Sequence, residues 1–170
     1  MIFETPRLKI RSPEIADVVF FTSLFNQPSY LEHLGGTGNL TIAQTQEILR
    51  EDQIRIDSGS QTFLITIKGS EQPTGIICFK RHDEATAEIS AAFLPEFEGQ
   101  GYAFEAAEVL IRHVFTEPGV EQLIARMAAG NTRPQKSLLR LGMTLQTIID
   151  AANGEEFMLY SMRKNPLNLQ

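Results

Sequence analysis

A single cysteine, Cys78, stands in the 170 residues, and tryptophan is absent. One thiol can neither close an internal disulfide nor build a cysteine metal site, so the fold must rest on packing. A cysteine-poor chain also fits a reducing compartment. Basic residues are scarce: 15 Lys and Arg against 21 Asp and Glu give a formal charge of −6. Phosphate-backbone binding wants a basic face, so no nucleic-acid partner is expected, whereas a cationic acceptor is compatible. No stretch approaches 18 uninterrupted apolar residues, and the opening MIFETPRLKIR lacks the apolar core of a secretion signal. The expectation is a cytoplasmic protein with no membrane partner. The motifs of several chemistries are missing too. There is no GxSxG, and His33, His82 and His113 are widely spaced without HExxH, which predicts no metal. GxxxxGK[ST] is absent, and GQGYAFE holds only the first two glycines of a dinucleotide signature.

What is present reads as one globular domain over residues 1–170, with 42% apolar and 21% charged residues. LKIRS (residues 8–12) alternates as a strand, and Ile15, Val18, Val19, Thr22 and Phe25 then repeat at helical spacing. SYLEHL is a short helix or ordered loop. A second helix runs from Thr41, as N-cap, to Ile56; its sparse apolar positions place it on the surface. TFLITI (62–67), GIICFK (75–80) and AEISAAFL (87–94) are strands on short polar connections, which predicts an antiparallel meander. Cys78 falls inside the second of them, where a buried thiol is expected. Ala103, Ala106, Ala107, Leu110, Ile111 and Val114 then share one helix face, with Glu105, Glu108 and Arg112 on the other. QLIARMA (122–128) is a strand, a short helix runs from Pro134 to Leu141, and MTLQTII and EEFMLYSM form a hairpin around residues 151–154. The helix over 101–115 is a crossover, so the strands flanking it can lie parallel.

The stretch FEGQGYAFEA (97–106) places Gly99 and Gly101 between a strand and an amphipathic helix. Glycine admits close backbone approach, and a helix start offers unpartnered N–H groups; together they favour a phosphate-bearing ligand. A second break, AGN at 129–131, follows the next strand, at the same sheet edge if the two strands are parallel.

Three blocks carry a family resemblance. TPRLKIRSPEIAD (5–17) is similar to an opening TxRLxLRxxxxxD, AEISAAFLPEFEGQGYAFEA (87–106) to a strand–Pro–GxGYAxEA block, and NTRPQKSLLRLGM (131–143) to NxxSxxxxxKxGF. In this order and spacing they resemble the GNAT superfamily of N-acetyltransferases, and within it the branch of ribosomal-protein N-terminal acetyltransferases. The resemblance implies an α+β fold: a mixed, mostly antiparallel seven-stranded sheet, helices on both faces, and two central parallel strands that splay apart. It implies acetyl-CoA wedged in the splay, with backbone groups around Phe93 and Leu94 pairing with the pantetheine arm. The pyrophosphate would be held by backbone N–H groups of Gly99, Gln100, Gly101, Tyr102 and Ala103. Asn131 would face the ligand, and the closing strands would support a homodimer.

Departures from the pattern bear on the chemistry. Glu98 stands where many members carry Gln or Arg, and is expected to face solvent, away from a pyrophosphate. Pro134 replaces the Ser of NxxS, and Leu138 stands where relatives place a tyrosine acid. Direct attack of a neutral amine in a ternary complex is the implied mechanism, with Glu88 as base through water and Ser137 as a hydroxyl that Pro134 cannot supply. Tyr30, Tyr102 and Tyr160 are alternative acids by residue type only. The implied acceptor is a small-molecule or peptide amine, with a protein N-terminus favoured over a polyamine, aminoglycoside or amino acid. A regulatory module that binds acetyl-CoA without turnover is the non-enzymatic alternative.

Overall fold

Strands rich in Ile, Leu, Phe and Thr build the sheet around which the candidate residues are arranged. A computed structural model describes residues 1–34, 38–55, 59–128, 132–150 and 156–165. The elements are β1 (Ile2–Glu4), β2 (Leu8–Arg11), α1 (Val18–Phe25), α2 (Pro28–Leu34), α3 (Ile42–Arg55), β3 (Ser60–Ile67), β4 (Pro73–Arg81), β5 (Thr86–Phe93), α4 (Tyr102–Val114), β6 (Gln122–Ala128), α5 (Thr132–Arg140), β7 (Thr144–Asp150) and β8 (Glu156–Arg163). One eight-stranded sheet results, in the order β1-β2-β3-β4-β5-β6-β8-β7. The expected mixed, mostly antiparallel sheet between helices is present. It has eight strands where seven were expected, because the three residues of β1 add a rung to β2, pairing Ile2 with Arg11 and Glu4 with Lys9.

Among the described residues, only one neighbouring pair of strands is parallel. β5 and β6, joined by the α4 crossover, pair over Thr86–Gln122, Ala87–Leu123 and Glu88–Ile124, and no farther. β5 continues to Phe93 against β4, and β6 continues to Ala128 against β8. Beyond Glu88 and Ile124 the two strands therefore turn unpaired edges toward each other. Short antiparallel connections hold β3–β4–β5 in register, so this gap is a defined feature of the sheet rather than a frayed end.

Alternation divides the side chains between two cores. Phe63, Ile77, Phe79, Ala87 and Ile89 meet Ala106, Ala107, Leu110, Ile111 and Val114 of α4 in the larger core. Leu138 and Leu141 pack against the same core, which sets α5 on the α4 face. On the other face, Leu64 and Ile76 meet Val18, Phe21, Leu24 and Phe25 of α1 and Leu49 of α3. Of the residues expected to repeat along one face, Val18 and Phe25 are buried, whereas Ile15 and Val19 are exposed and Phe21 and Leu24 take their place. VVFF is apolar at every angle, and the sheet selects the stripe that closes on Leu64.

The predicted start of α3 holds, while its predicted end at Ile56 lies outside the described residues; Thr41 caps the helix reciprocally: the Gln44 N–H donates to Thr41 Oγ1 at 3.3 Å, and the Thr41 N–H to Gln44 Oε1 at 2.8 Å. Gly142 follows the end of α5 at a φ of 88°, where a side chain would be strained.

Candidate functional site

The gap between β5 and β6 organises the site. On the α1/α3 face, the cross-strand rows Leu64–Ile76–Ala92, Thr62–Cys78–Ser90 and Ser60–Lys80–Glu88 follow one another down the sheet. The first row is apolar and covered by α1 and α3; the next two are polar. Cys78 lies in this polar region, half-buried rather than enclosed, with Sγ 2.9 Å from Ser90 Oγ.

Glu88 occupies the last parallel rung. Its carboxylate takes Arg126 bidentately, Nε to Oε1 at 2.9 Å and Nη2 to Oε2 at 2.7 Å, and Oε2 lies 2.6 Å from His82 Nε2. The Glu88 side chain is 15% exposed and that of Arg126 49% exposed. Burial pushes the Glu88 carboxyl upward, but the hydrogen bonds and charges of Arg126 and His82 outweigh it and hold the group below the ordinary glutamate value. Glu88 is therefore an anion at neutral pH, clamped by two partners. Arg126 and His82 were not expected in the site. In QLIARMA the arginine has the alternation of a solvent-facing residue, and nothing local marks it as the partner of a glutamate 38 positions earlier.

The Gly-rich loop stands beyond the open end of the gap. A single 3₁₀ turn, Pro95–Phe97, leads into Gly99 and Gly101, at φ values of 73° and 81°. Both are left-handed, which explains the glycines. Among the described residues, the consecutive N–H groups of residues 99–104 meet no hydrogen-bond acceptor; the first helical bond runs from the Glu105 N–H to Gly101 O at 3.2 Å. Gly99, Gln100, Gly101 and Ala103 are exposed, Ala103 departing from the buried face expected of it. Glu98 is exposed, as expected.

These observations fit the donor that the resemblance implies. Unpaired strand edges suit an extended amide arm, and a run of free N–H groups at the start of a 13-residue helix suits a pyrophosphate.

Two residues that hold this loop went unassigned in the sequence. Glu105, expected on the solvent face, is only 13% exposed. It accepts from Thr5 Oγ1 at 2.5 Å, the Arg7 N–H at 2.9 Å and Arg7 Nε at 2.6 Å. Burial raises its carboxyl pKa, and these donors outweigh that and lower it. Arg7 also donates from Nη1 to Gln100 O at 3.0 Å and lies over the Tyr102 ring, 4.8 Å from its centroid. The TPRL block thus reaches the GYAFEA block through space.

Ser137 lies on α5, on the α4 face, so the sheet separates it from Glu88. Phe93 and Leu94 sit at the end of β5, pointing to opposite faces; the Leu94 N–H donates to Thr74 O at 2.9 Å. Asn131 lies outside the described residues. Tyr160 is buried in the α4-side core, and Tyr30 packs on Phe25 with ring centroids 5.0 Å apart. A cavity of about 440 Å³, lined by Gln122, Thr144, Gln146, Ser161 and Arg163, opens at the paired end of β6, away from the gap. Among the described residues, no group of three His, Cys, Asp or Glu could hold a metal ion, and no helix is long and apolar enough to cross a membrane.

A family model described as Acetyltransferase (GNAT) domain matches residues 7–144. The chain is 26% identical over 147 residues to the uncharacterized N-acetyltransferase YnaD of Bacillus subtilis (strain 168), covering 84% of this chain and 82% of that one. A ribosomal-protein-S5-alanine acetyltransferase from Vibrio fischeri shares the fold with a TM-score of 0.85 at 17% identity, covering 98% of both chains. A spermidine N-acetyltransferase from Vibrio cholerae, solved with CoA and spermine, does so with a TM-score of 0.81 at 14% identity, covering 94% of this chain and 96% of that one. The two solved proteins differ in acceptor, and at these identities the likeness carries the fold alone.

Proposed function

Because the chain belongs to the GNAT acetyltransferase family and is an acetyl-CoA-dependent acetyltransferase, we propose that its acceptor is a primary amine at a protein or peptide N-terminus, attacked directly in a ternary complex. The observation that carries this choice is the charge around Glu88. Lys80 faces it across the β4–β5 ladder, Arg126 grips it from β6, and His82 joins from the hairpin. This is an electropositive setting around one carboxylate that is already neutralised. A polyamine brings a second cation to it, which costs Coulomb energy, whereas a peptide brings backbone carbonyls that Arg126 and Lys80 can satisfy.

In this proposal acetyl-CoA supplies the activated thioester. The unpaired edge of β5 near Phe93 and Leu94 holds the donor's arm, and the N–H groups of Gly99, Gln100, Gly101, Tyr102 and Ala103 hold its pyrophosphate; Asn131 belongs to the same donor site. Glu88, ionised and on the acceptor face, takes up through water the proton that the attacking amine gives up. Ser137, on the opposite face, keeps a hydroxyl proton available for the departing sulfur. Glu88 and Ser137 stand on opposite faces of the sheet, so in this proposal the proton is taken up on one side of the gap and supplied on the other.

The test is an acceptor screen that pairs detection of free coenzyme A thiol with mass spectrometry. N-terminal peptides are expected to be acetylated, with kcat/KM above that of spermidine, aminoglycosides and free amino acids. A polyamine turned over faster than every peptide refutes the acceptor class, and saturable acetyl-CoA binding with no product from any amine supports the regulatory alternative. Association through the unpaired edge of β7 is part of the same proposal. Light scattering showing only a 19.0 kDa species at assay concentration refutes the homodimer.

A further inference from the structure

Why should a strand at the far side of the sheet send an arginine to the Gly-rich loop? Arg7 lies at the entry to β2, and its guanidinium is shared between Glu105, inside the first turn of α4, and the carbonyl of Gln100. A trans peptide points its N–H opposite to its C=O. With Gln100 O drawn to Arg7 at 3.0 Å, the N–H of Gly101 is turned away from the arginine, into the run of free donors. Gly101 has a φ of 81°, in the left-handed region, where the Gln100–Gly101 peptide has more than one orientation open to it without the arginine. A second consequence is electrostatic. Glu105 places a carboxylate within one turn of a helix start that is to receive an anion, and Glu96 and Glu98 are exposed on the same loop. The Arg7 guanidinium, 2.6 Å from Glu105 Oε2, cancels the nearest of these charges.

We propose that Arg7 is a positioning residue for acetyl-CoA: it fixes the Gln100–Gly101 peptide with its N–H toward the pyrophosphate and neutralises Glu105 beside it. The inference rests on the assignment of residues 99–103 to the pyrophosphate. The guanidinium does its work whether the acceptor is a peptide or a small amine, so binding measurements with the full chain test it without an acceptor.

Calorimetric titration with CoA, which carries the pyrophosphate, and with pantetheine, which lacks it, separates the roles. Hydrogen bonds to charged groups typically govern about tenfold to hundredfold in affinity, so Arg7→Gln should weaken CoA by that range. Pantetheine should bind Arg7→Gln as it binds the wild type, since the β5 edge is untouched. Arg7→Lys, which keeps the charge and loses the fork, should fall between wild type and Arg7→Gln. In Arg7→Gln/Glu105→Gln part of the CoA affinity should return, because the uncancelled carboxylate is gone. With an acceptor in hand, the loss should appear in the KM for acetyl-CoA and spare kcat. CoA affinity in Arg7→Gln equal to wild type overturns the inference, and so does an equal loss for CoA and pantetheine, which marks a general loss of structure. Should Arg7→Gln fail to fold, Arg7→Lys decides by the same comparison. Gly101→Val keeps the two assignments apart. If it binds CoA as the wild type does, the loop does not hold the pyrophosphate and the inference falls with it. If Gly101→Val weakens CoA while neither Arg7 variant does, only the role of Arg7 is refuted.

Discussion

Gly75→Ala adds one methyl to β4, and the structure says where it lands. An ideal Cβ at Gly75 lies 2.5 Å from the carbonyl oxygen of Ala92 and 2.5 Å from Cδ1 of Phe93. The ring can turn aside, but the oxygen belongs to β5 and moves only with the strand. Reaching even 3.0 Å requires a shift of about 0.5 Å, the difference between that distance and the one found. Gly75 has no left-handed φ, so without this contact alanine would stabilise the fold by about 0.4–1 kcal/mol through the unfolded chain. Overpacking costs about 1–3 kcal/mol, so the expected net effect is destabilising, by roughly 1–2 kcal/mol. For a chain of this size that lowers Tm by about 2–8 °C. The displaced segment, Ala92 to Leu94, is the proposed edge for the donor's arm, so acetyl-CoA affinity should fall along with stability. Thermal unfolding followed by circular dichroism, with titration of acetyl-CoA at a temperature well below both midpoints, measures the two effects. A Gly75→Ala protein with an unchanged or higher Tm and wild-type affinity refutes the claim that β5 is held in place by a glycine opposite Phe93.

Gly101→Val should weaken acetyl-CoA binding far more than Gly142→Val in the same titration, since both glycines are left-handed while nothing lies within 4 Å of a Cβ at Gly142. His113 has its ring 5.0 Å from that of Phe3, and its buried Nε2 has no hydrogen-bond partner. Burial lowers its pKa below 6.5, against a weaker pull upward from Glu117. The unfolded chain then binds that proton at higher pH than the folded one, so Tm should fall as pH drops below about 6.5 and level off beneath the folded value, and His113→Phe should flatten this window.

How much of this was legible beforehand depends on whether the signal is local. The meander, the crossover helix and the left-handed glycines all leave marks within a few residues, as period, charge segregation and composition. β1 leaves none: IFE is too short to show alternation, and it is a strand because Phe3 has Phe63 to pack on, ring centroids 5.4 Å apart. The face of α1 is legible only in part, through Val18 and Phe25, because four consecutive apolar residues carry no phase. Glu105 was placed toward solvent because α4 taken alone is amphipathic; the partner that buries it is 98 positions away. The motif singles out Glu88 as a candidate but says nothing of its bonding, since pairing to Arg126 requires knowing that β5 and β6 are neighbours. Residue chemistry proposes the candidate groups, and only topology shows which of them touch.

The Glu88–Arg126 pair has a second consequence, because it spans the point where the strands part. Glu88 belongs to the last parallel rung, whereas Arg126 lies two residues past Ile124, where β6 has already left β5. The arginine reaches back across the divergence, so the same contact that braces the apex of the gap also sets the proton affinity of the proposed base. Base strength and geometry are separable by substitution. Arg126→Gln removes the strongest influence lowering the Glu88 pKa and leaves the burial that raises it, with His82 still in place. If Glu88 takes up the amine's proton, the acid limb of kcat/KM against pH should move upward in Arg126→Gln. In Glu88→Gln the carboxylate's part of that limb should be gone, leaving only the limb set by the amine's own ionisation, with a loss of about 10²–10⁴-fold that shrinks at high pH, where the amine is already neutral. If Glu88 only braces the gap, both variants should lower kcat/KM by similar factors at every pH and weaken acetyl-CoA binding together. An acid limb that stays at its wild-type position in Arg126→Gln refutes the assignment of Glu88 as the base.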